Sequence, residues 1–288
     1  MGSQRRNVVL SSPGDPMSIG AAALRERIKN RLPLPVTSAF KGVRSSIRAW
    51  RWRTRRHLQH TLPSGLRVDI GSFSDWVVYN EVFVDGEYDA VIDAVIQTPR
   101  TQVWTLDLGA NVGLFTLRLM DRWLRSSRGE RRHQVICVEG APSTFRVLSK
   151  NLAQPPLDSA CTLHLGLAGQ RSGTASISTS AHTGVNSIVD RSPSFSRVRV
   201  PFVDLTQLVP PDARIALLKC DIEGAEELFL ANYADLLLRV DEAVVELHHQ
   251  FCSPTRCREL LARAGLDRRT VLKTYSDDCT LEWFSRAL

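Results

Sequence analysis

The sequence predicts an α/β protein built on a mostly parallel sheet with helices on both faces, and three observations carry that expectation. From about residue 101, short apolar runs alternate with stretches of helical spacing, the pattern of a parallel sheet wrapped by helices. A turn punctuated by glycine, Asp107-Leu108-Gly109-Ala110-Asn111-Val112-Gly113, joins the first of those strands to the next helix. The acid Glu139 closes the second strand, where a doubly wound sheet presents a carboxylate to the ribose hydroxyls of a nucleoside.

Each element follows in order. Val103-Trp104-Thr105-Leu106 is a short apolar strand, and Leu114 to Leu124 is apolar over a broad face, as a helix on a sheet should be. Val135 to Val138 forms the second strand, and Ser143 is placed to cap a helix carrying Phe145, Leu148 and Leu152 on one side. Thr162–Leu167, Ala175–Thr179 and Arg197–Val203 read as strands. Ile215 to Cys220 is a buried strand ending at Asp221, and Ala243 to Leu247 is another. The chain closes with a helix over Arg256–Ala264 and two short strands near Val271 and Leu281.

Three regions are expected. Residues 101–288 form the ligand-binding catalytic domain, and residues 58–100 a lead-in that packs on it. In the lead-in, Gly65 to Ile70 alternates, Trp76 to Tyr79 continues as strand, and Tyr88 to Ile96 returns to helical spacing. Residues 1–57 form a basic arm holding 13 Lys and Arg against 2 acids, a net of +11. Residues 58–288 hold 24 against 28, a net of −4, so the overall +7 belongs to the arm. Basicity confined to an arm gives no reason to expect nucleic acid as the partner of the body. A short helix-like piece spans Ala21 to Leu32. Within the arm Phe40, Val43, Ile47 and Trp50 recur at helical spacing between arginines. Such a helix suits an anionic membrane surface, or equally a solvated arm that packs Trp50 on its own domain.

No run reaches the roughly 18–20 apolar residues of a membrane span, and the N-terminus lacks the apolar core of a secretion signal. A cytoplasmic protein, with peripheral membrane attachment through the arm, is expected. The six cysteines form no CxxC pair, so they read as reduced core thiols, and only Cys252 and Cys257 stand close enough in sequence to raise a metal or a disulfide.

Four constellations carry chemistry. In the glycine turn, Gly109 and Gly113 allow close backbone approach and leave helix N-terminal N–H groups facing a ligand. Asn111 stands where the dinucleotide fingerprint GxGxxG has its middle glycine, which disfavours a nicotinamide cofactor. Glu139 is the second constellation. The third, Lys219-Cys220-Asp221-Ile222-Glu223-Gly224-Ala225-Glu226, sets three acids at a strand-to-helix junction. Unpaired carboxylates are costly to bury, so Asp221 first and Glu223 second are site candidates, while Glu226 suits the dipole of the following helix. The fourth is Glu246-Leu247-His248-His249, in which Glu246 and His248 share a strand face and His249 points away.

The segments DLGANVGLF, VEGAPSTF, NSI at Asn186, LLKCDIEGAE and VVELHH resemble, in order and spacing, the FkbM-type S-adenosylmethionine-dependent methyltransferases. The resemblance covers about Leu62 to the C-terminus. It implies a Rossmann-like class I methyltransferase fold, a mostly parallel seven-stranded sheet with the last strand antiparallel. It also implies S-adenosylmethionine as cofactor and O-methylation of a small-molecule hydroxyl on a sugar, polyketide, related secondary metabolite or glycolipid. By position, Asp107, Gly109, Ala110, Asn111 and Gly113 would surround the methionine part, Glu139 with Gly140 after it would hold the ribose, and Ala168 would lie near the adenine. Gly140 departs from the proline common there. Asp221 would face the methyl-transfer region, with His248 or Asp221 as base and Glu246 orienting the histidine or the substrate. The reading from another class is a non-catalytic nucleoside-binding module attached to membrane or partner by its basic arm, since fold alone does not establish activity.

Overall fold

The computed structural model describes residues 58–126, 131–179 and 196–287, all within one compact unit spanning residues 56–288. The arm, its two helix-like stretches and Asn186 lie outside the described residues. A seven-stranded sheet forms the centre. Its strands are β3 (Gln102–Leu108), β4 (Arg132–Glu139), β5 (Cys161–Leu165), β8 (Ile215–Cys220), β9 (Val240–His248), β10 (Arg268–Ser276) and β11 (Cys279–Ser285), in the order β10-β11-β9-β8-β3-β4-β5. Strands β9, β8, β3, β4 and β5 pair in parallel, while β11 runs antiparallel to both neighbours. This is the Rossmann-like class I methyltransferase arrangement, last strand included.

Side-chain alternation sorts the residues between the two faces. Leu106 and Leu108 of β3, Ile136 and Val138 of β4, Leu218 and Cys220 of β8 and Ala243 and Val245 of β9 share one buried cluster. Against them pack Phe229 of α6 (Glu226–Asn232), Leu236 and Leu237 of α7 (Ala234–Leu237) and Cys257 and Leu261 of α8 (Pro254–Arg263). The alternate residues of β3 turn the other way. Asp107 accepts from Thr116 Oγ1 at 2.7 Å, a residue of α3 (Leu114–Arg125).

The lead-in is tied to this body by polar clamps. Strand β2 (Arg67–Ile70), paired with β1 (Leu58–Thr61), exchanges two 2.8 Å bonds between the Arg67 backbone and the Gln154 amide. Ser64 N–H donates to Asp121 at 2.9 Å. On the far side, Lys273 of β10 meets Glu87 at 2.8 Å, just before α2 (Asp89–Gln97).

Two expectations change. Trp76 to Tyr79 belongs to a helix, α1 (Phe73–Tyr79), because Ser72 and Asp75 form a reciprocal capping box that nucleates it; a π-helical turn, Asn80–Val84, continues it. Ser143 does not cap α4 (Pro142–Leu152): Ala141 takes that place, and Pro142 opens the helix with its fixed φ. The strands β6 (Thr174–Thr179) and β7 (Ser196–Pro201) form a separate antiparallel pair outside the central sheet. All six cysteines are free. Among the described residues no helix is long and apolar enough to cross a membrane.

His133 shows how completely the sheet is buried. It is 3% exposed, shares a 2.8 Å bond with Thr105 and lies edge-on to Trp123 at 4.5 Å. Burial, helped by the Arg131 charge, pushes its pKa down to about 3. The folded state holds the neutral ring, so this contribution to stability is complete above the unfolded value of about 6.5 and is lost as pH falls below it. Between pH 6.5 and pH 5 the loss should reach about 2 kcal/mol. Urea unfolding of His133→Gln should show a correspondingly shallower acid decline than the wild type, and parallel declines would refute the assignment.

Candidate functional site

The strand order reverses between β3 and β8, and the loops leaving their carboxyl ends meet there, which is where open α/β sheets bind ligands. The meeting is tight. Asp221 N–H donates to Leu108 O at 3.1 Å, and a Cβ on Gly109, whose φ is +71°, would stand 1.7 Å from the Asp221 carbonyl oxygen. Only glycine fits that position. Asn111 also has positive φ, +50°, a conformation Asn tolerates better than most residues.

Lys219 pins the two loops from beneath. Its ammonium, 5% exposed, donates to Gly109 O at 2.7 Å and lies 3.6 Å from Asp107 and 3.4 Å from Asp221. Burial alone would lower its pKa, but the charges of Asp221 and Asp107 outweigh it and hold the amine protonated.

Two cavities open on either side of this junction. The first is lined by Gly109, Asn111, Glu139, Gly140, Ala168 and Asp221 among others. Glu139, 7% exposed, accepts from Asn111 N–H at 2.9 Å and from Ala141 N–H at 2.7 Å, one bond on each oxygen. Each oxygen keeps a second acceptor site. Burial raises its pKa, and those two N–H groups oppose the rise. The second cavity, about 1,070 Å³, lies between the sheet edge and the lead-in. Phe73, Val77 and Val78 of α1 with Leu114 and Phe115 of α3 give it an apolar wall; Glu81, Glu87, Asp221, Glu223 and Glu246 give it an acidic one. Asn111, Asp221 and Glu223 line both cavities.

Behind the acidic wall stands His248. Its Nδ1 is 3.0 Å from Glu226 Oε1, and its Nε2 is 3.5 Å from both Glu223 and Glu246. Burial would lower its pKa, yet the bond to Glu226 and the charges of Glu226, Asp221 and Glu223 raise it to about 10. Glu246 and Glu223 are both raised, first by burial and then by Asp221, with His248 opposing.

The structure gathers most of the expected site. Gly109, Asn111, Glu139, Gly140, Ala168 and Asp221 line the first cavity, while Ala110, Asp221 and Glu246 line the second. Asp107 lines neither cavity: it is wholly buried, holding Thr116 and approached by Lys219. Gly113 likewise stands outside both linings and caps α3 with φ +89°. His248 lines neither cavity, because Glu226 draws its ring inward. Glu226 is itself wholly buried and accepts from Gly224 N–H, so it does more than complement a helix dipole. At Gly140 a Cβ would come 2.7 Å from Leu167 Cδ2, so Leu167 fills the space that a proline ring would need. Sequence reasoning missed Tyr88 and Tyr275, which line the second cavity from α2's cap and from β10. It also passed over Lys219, whose signal was a lone charge in an apolar strand.

A Rossmann-like sheet with a cleft at its switch point, an acid at the second strand end and a second cleft beside the first is the arrangement of the class I methyltransferase fold. The chain belongs to the FkbM methyltransferase family, whose methyl donor is S-adenosylmethionine: the model described as "Methyltransferase FkbM domain" matches residues 107–266, more than half of the sequence. No curated protein sequence matches significantly. Among solved structures, the methyltransferase FkbM from Methylobacillus flagellatus is similar at 15% identity and a TM-score of 0.48. That similarity covers 64% of this chain and 44% of the Methylobacillus protein, so this chain spans under half of that protein's length. TYW2 from M. jannaschii, in complex with AdoMet, is similar at 11% identity and a TM-score of 0.41, covering 81% and 88% of the two chains. The magnesium protoporphyrin IX methyltransferase of Synechocystis, with bound SAM, is similar at 12% identity and a TM-score of 0.42, covering 75% and 84%.

The residues present fit such a donor. Glu139 offers two carboxylate oxygens with free acceptor capacity, and Asn111 Oδ1 is buried at the same junction with no partner. Glu139→Ala would also leave the Asn111 and Ala141 N–H groups unpaired. Calorimetry should show S-adenosylhomocysteine binding weakened about 5- to 150-fold, the equivalent of roughly 1–3 kcal/mol. Ser143→Ala, which touches neither cavity, should bind as the wild type does; equal affinity in all three proteins would refute the Glu139 assignment.

Proposed function

We propose that this chain transfers the methyl group of S-adenosylmethionine to a hydroxyl oxygen of a small molecule. The carrying observation is the contiguity of the two cavities: Asn111, Asp221 and Glu223 border both. Bound in the first cavity, S-adenosylmethionine would supply an electrophilic methyl and leave as a neutral thioether. The protein's own share is alignment and removal of the hydroxyl proton.

Asp221 is the proton acceptor in this reading, because its side chain borders donor and acceptor spaces alike. Glu246, on the same acidic wall, orients the acceptor hydroxyl. His248, turned inward on Glu226, acts as a positioning residue that places positive charge between Glu223 and Glu246. Five carboxylates against Lys219 around the acceptor space disfavour polyanions such as nucleic acid, and the apolar wall suits the ring face of a sugar, a polyketide or the lipid-proximal sugar of a glycolipid. A binding module without catalysis would have no use for a second, acid-lined cleft.

Asp221→Asn should lower turnover by about 10²- to 10⁴-fold while S-adenosylhomocysteine affinity stays within a few-fold, and mass spectrometry should place the methyl on oxygen. Methylation on nitrogen or carbon, or full turnover in Asp221→Asn, would overturn the mechanism. Separately, the +11 arm supports peripheral attachment to anionic membranes in the cytoplasm. Co-sedimentation of the full chain with phosphatidylserine vesicles should fall as salt rises; salt-independent or absent binding would dispose of that attachment.

A further inference from the structure

We propose that Glu246, His248 and Cys279 form a binding site for a divalent, thiolate-tolerant cation of the zinc type, with its remaining position open to the acceptor cleft. The site is built by strand register. Cys279 of β11 is the cross-strand partner of His248 on β9, and Glu246 lies two residues before His248, so all three side chains stand on one face at the carboxyl edge of the sheet.

Their donor atoms already lie at ligand spacing. His248 Nε2 is 3.5 Å from Glu246 Oε1, which is 3.2 Å from Cys279 Sγ, and all three atoms are within 4.8 Å of one another. For ligand bonds of about 2.0–2.3 Å, the edges of a tetrahedron around zinc are about 3.3–3.7 Å, so the trio needs only small adjustments to close on an ion. The donor set also selects the metal. A carboxylate, an imidazole and a thiol together suit zinc better than magnesium or calcium, which take oxygen.

A second, independent feature points the same way. Glu226, wholly buried, accepts at Nδ1 of His248. This holds the Nδ1 proton on Glu226 and turns Nε2, which gives up its own proton when a metal binds, toward the other two donors, the carboxylate–histidine arrangement that supports metal-ligating imidazoles. Three protein ligands with one open position is the composition of catalytic rather than structural zinc sites. Because Glu246 lines the acceptor cavity, the open position is available to the acceptor hydroxyl. Binding displaces the Nε2 and thiol protons to solvent, and the ion would then lower the pKa of a bound hydroxyl, leaving its proton to Asp221. That role rests on the methyl-transfer reading above; cation binding itself does not.

The test uses the full chain, stripped with chelator and titrated with Zn²⁺ against a chromophoric competitor, and with Co²⁺ followed by absorption. One equivalent of either metal should bind, and Co²⁺ should give a thiolate charge-transfer band. Cys279→Ser should lose that band, while Glu246→Gln and the supporting variant Glu226→Gln should weaken Zn²⁺ binding at least 10- to 100-fold. A band that survives in Cys279→Ser would place the metal on another cysteine, and binding that is substoichiometric or unchanged in Cys279→Ser and Glu246→Gln would overturn the site. S-adenosylhomocysteine binding, measured in parallel, separates the two readings: its absence strikes the methyltransferase reading, whereas its presence without metal binding strikes only this one.

Discussion

The architecture of the site depends on one buried cation. Lys219 sits in the middle of the sheet edge, 5% exposed, bonded to the Gly109 carbonyl and flanked by Asp107 and Asp221. A buried ammonium without partners would be costly, and so would either carboxylate. Together they compensate one another, and the geometry of their compensation locks the β3 loop to the β8 loop. Gly109 is forced to be glycine by the same approach, since the Asp221 carbonyl occupies the place of its side chain.

From this pin the division of labour follows. Asp107, spent on Lys219 and Thr116, is withdrawn beneath the loop, whereas Asp221 keeps 27% of its side chain exposed at the border of both cavities. Farther along the edge the negative charge continues through Glu223, Glu226 and Glu246, with His248 the cation among them. Two positive side chains, one buried and one half-buried, thus divide a row of acids: one group anchors loops, another borders the cavities. His248 is drawn away from the cleft by Glu226 because that carboxylate, wholly buried, has few other partners.

Much of this was legible in the sequence where the signal is local. Strands β3, β4, β8 and β9, the helix after the glycine turn and the acids Glu139 and Asp221 follow from periodicity and from residue types that tight turns demand. Gly109, Asn111 and Ala168 line the first cavity together. What stayed hidden depends on contacts distant in sequence. Asp107 reads as a ligand residue until Lys219, more than a hundred positions later, is seen to claim it. Cys279 looks like an isolated core thiol until the β9–β11 register sets it opposite His248. Trp76 to Tyr79 misled because a tyrosine, two valines and a tryptophan favour strand intrinsically, while the capping box of Ser72 and Asp75 decides for helix.

The lead-in is what turns the edge of the sheet into a cleft. Without it, Asp221, Glu223 and Glu246 would face open solvent at the end of the strands. Helix α1 and the π-helical turn bring Phe73, Val77, Glu81 and Val82 across that opening, and the stacked rings of Trp76, Tyr79 and Phe83, with Arg118 over Phe83, stiffen the segment. Lys273 and Tyr275 of β10 then hold Glu87 from the far side of the sheet. The donor side is built from short loops inside the sheet, whose shape the backbone dictates; the acceptor side is built from an added segment, whose side chains are free to differ without disturbing Lys219 and its partners. Under the proposed function, acceptor choice would reside in residues 73–88 and in β10, and the methyl-donor machinery in the loops after β3, β4 and β8.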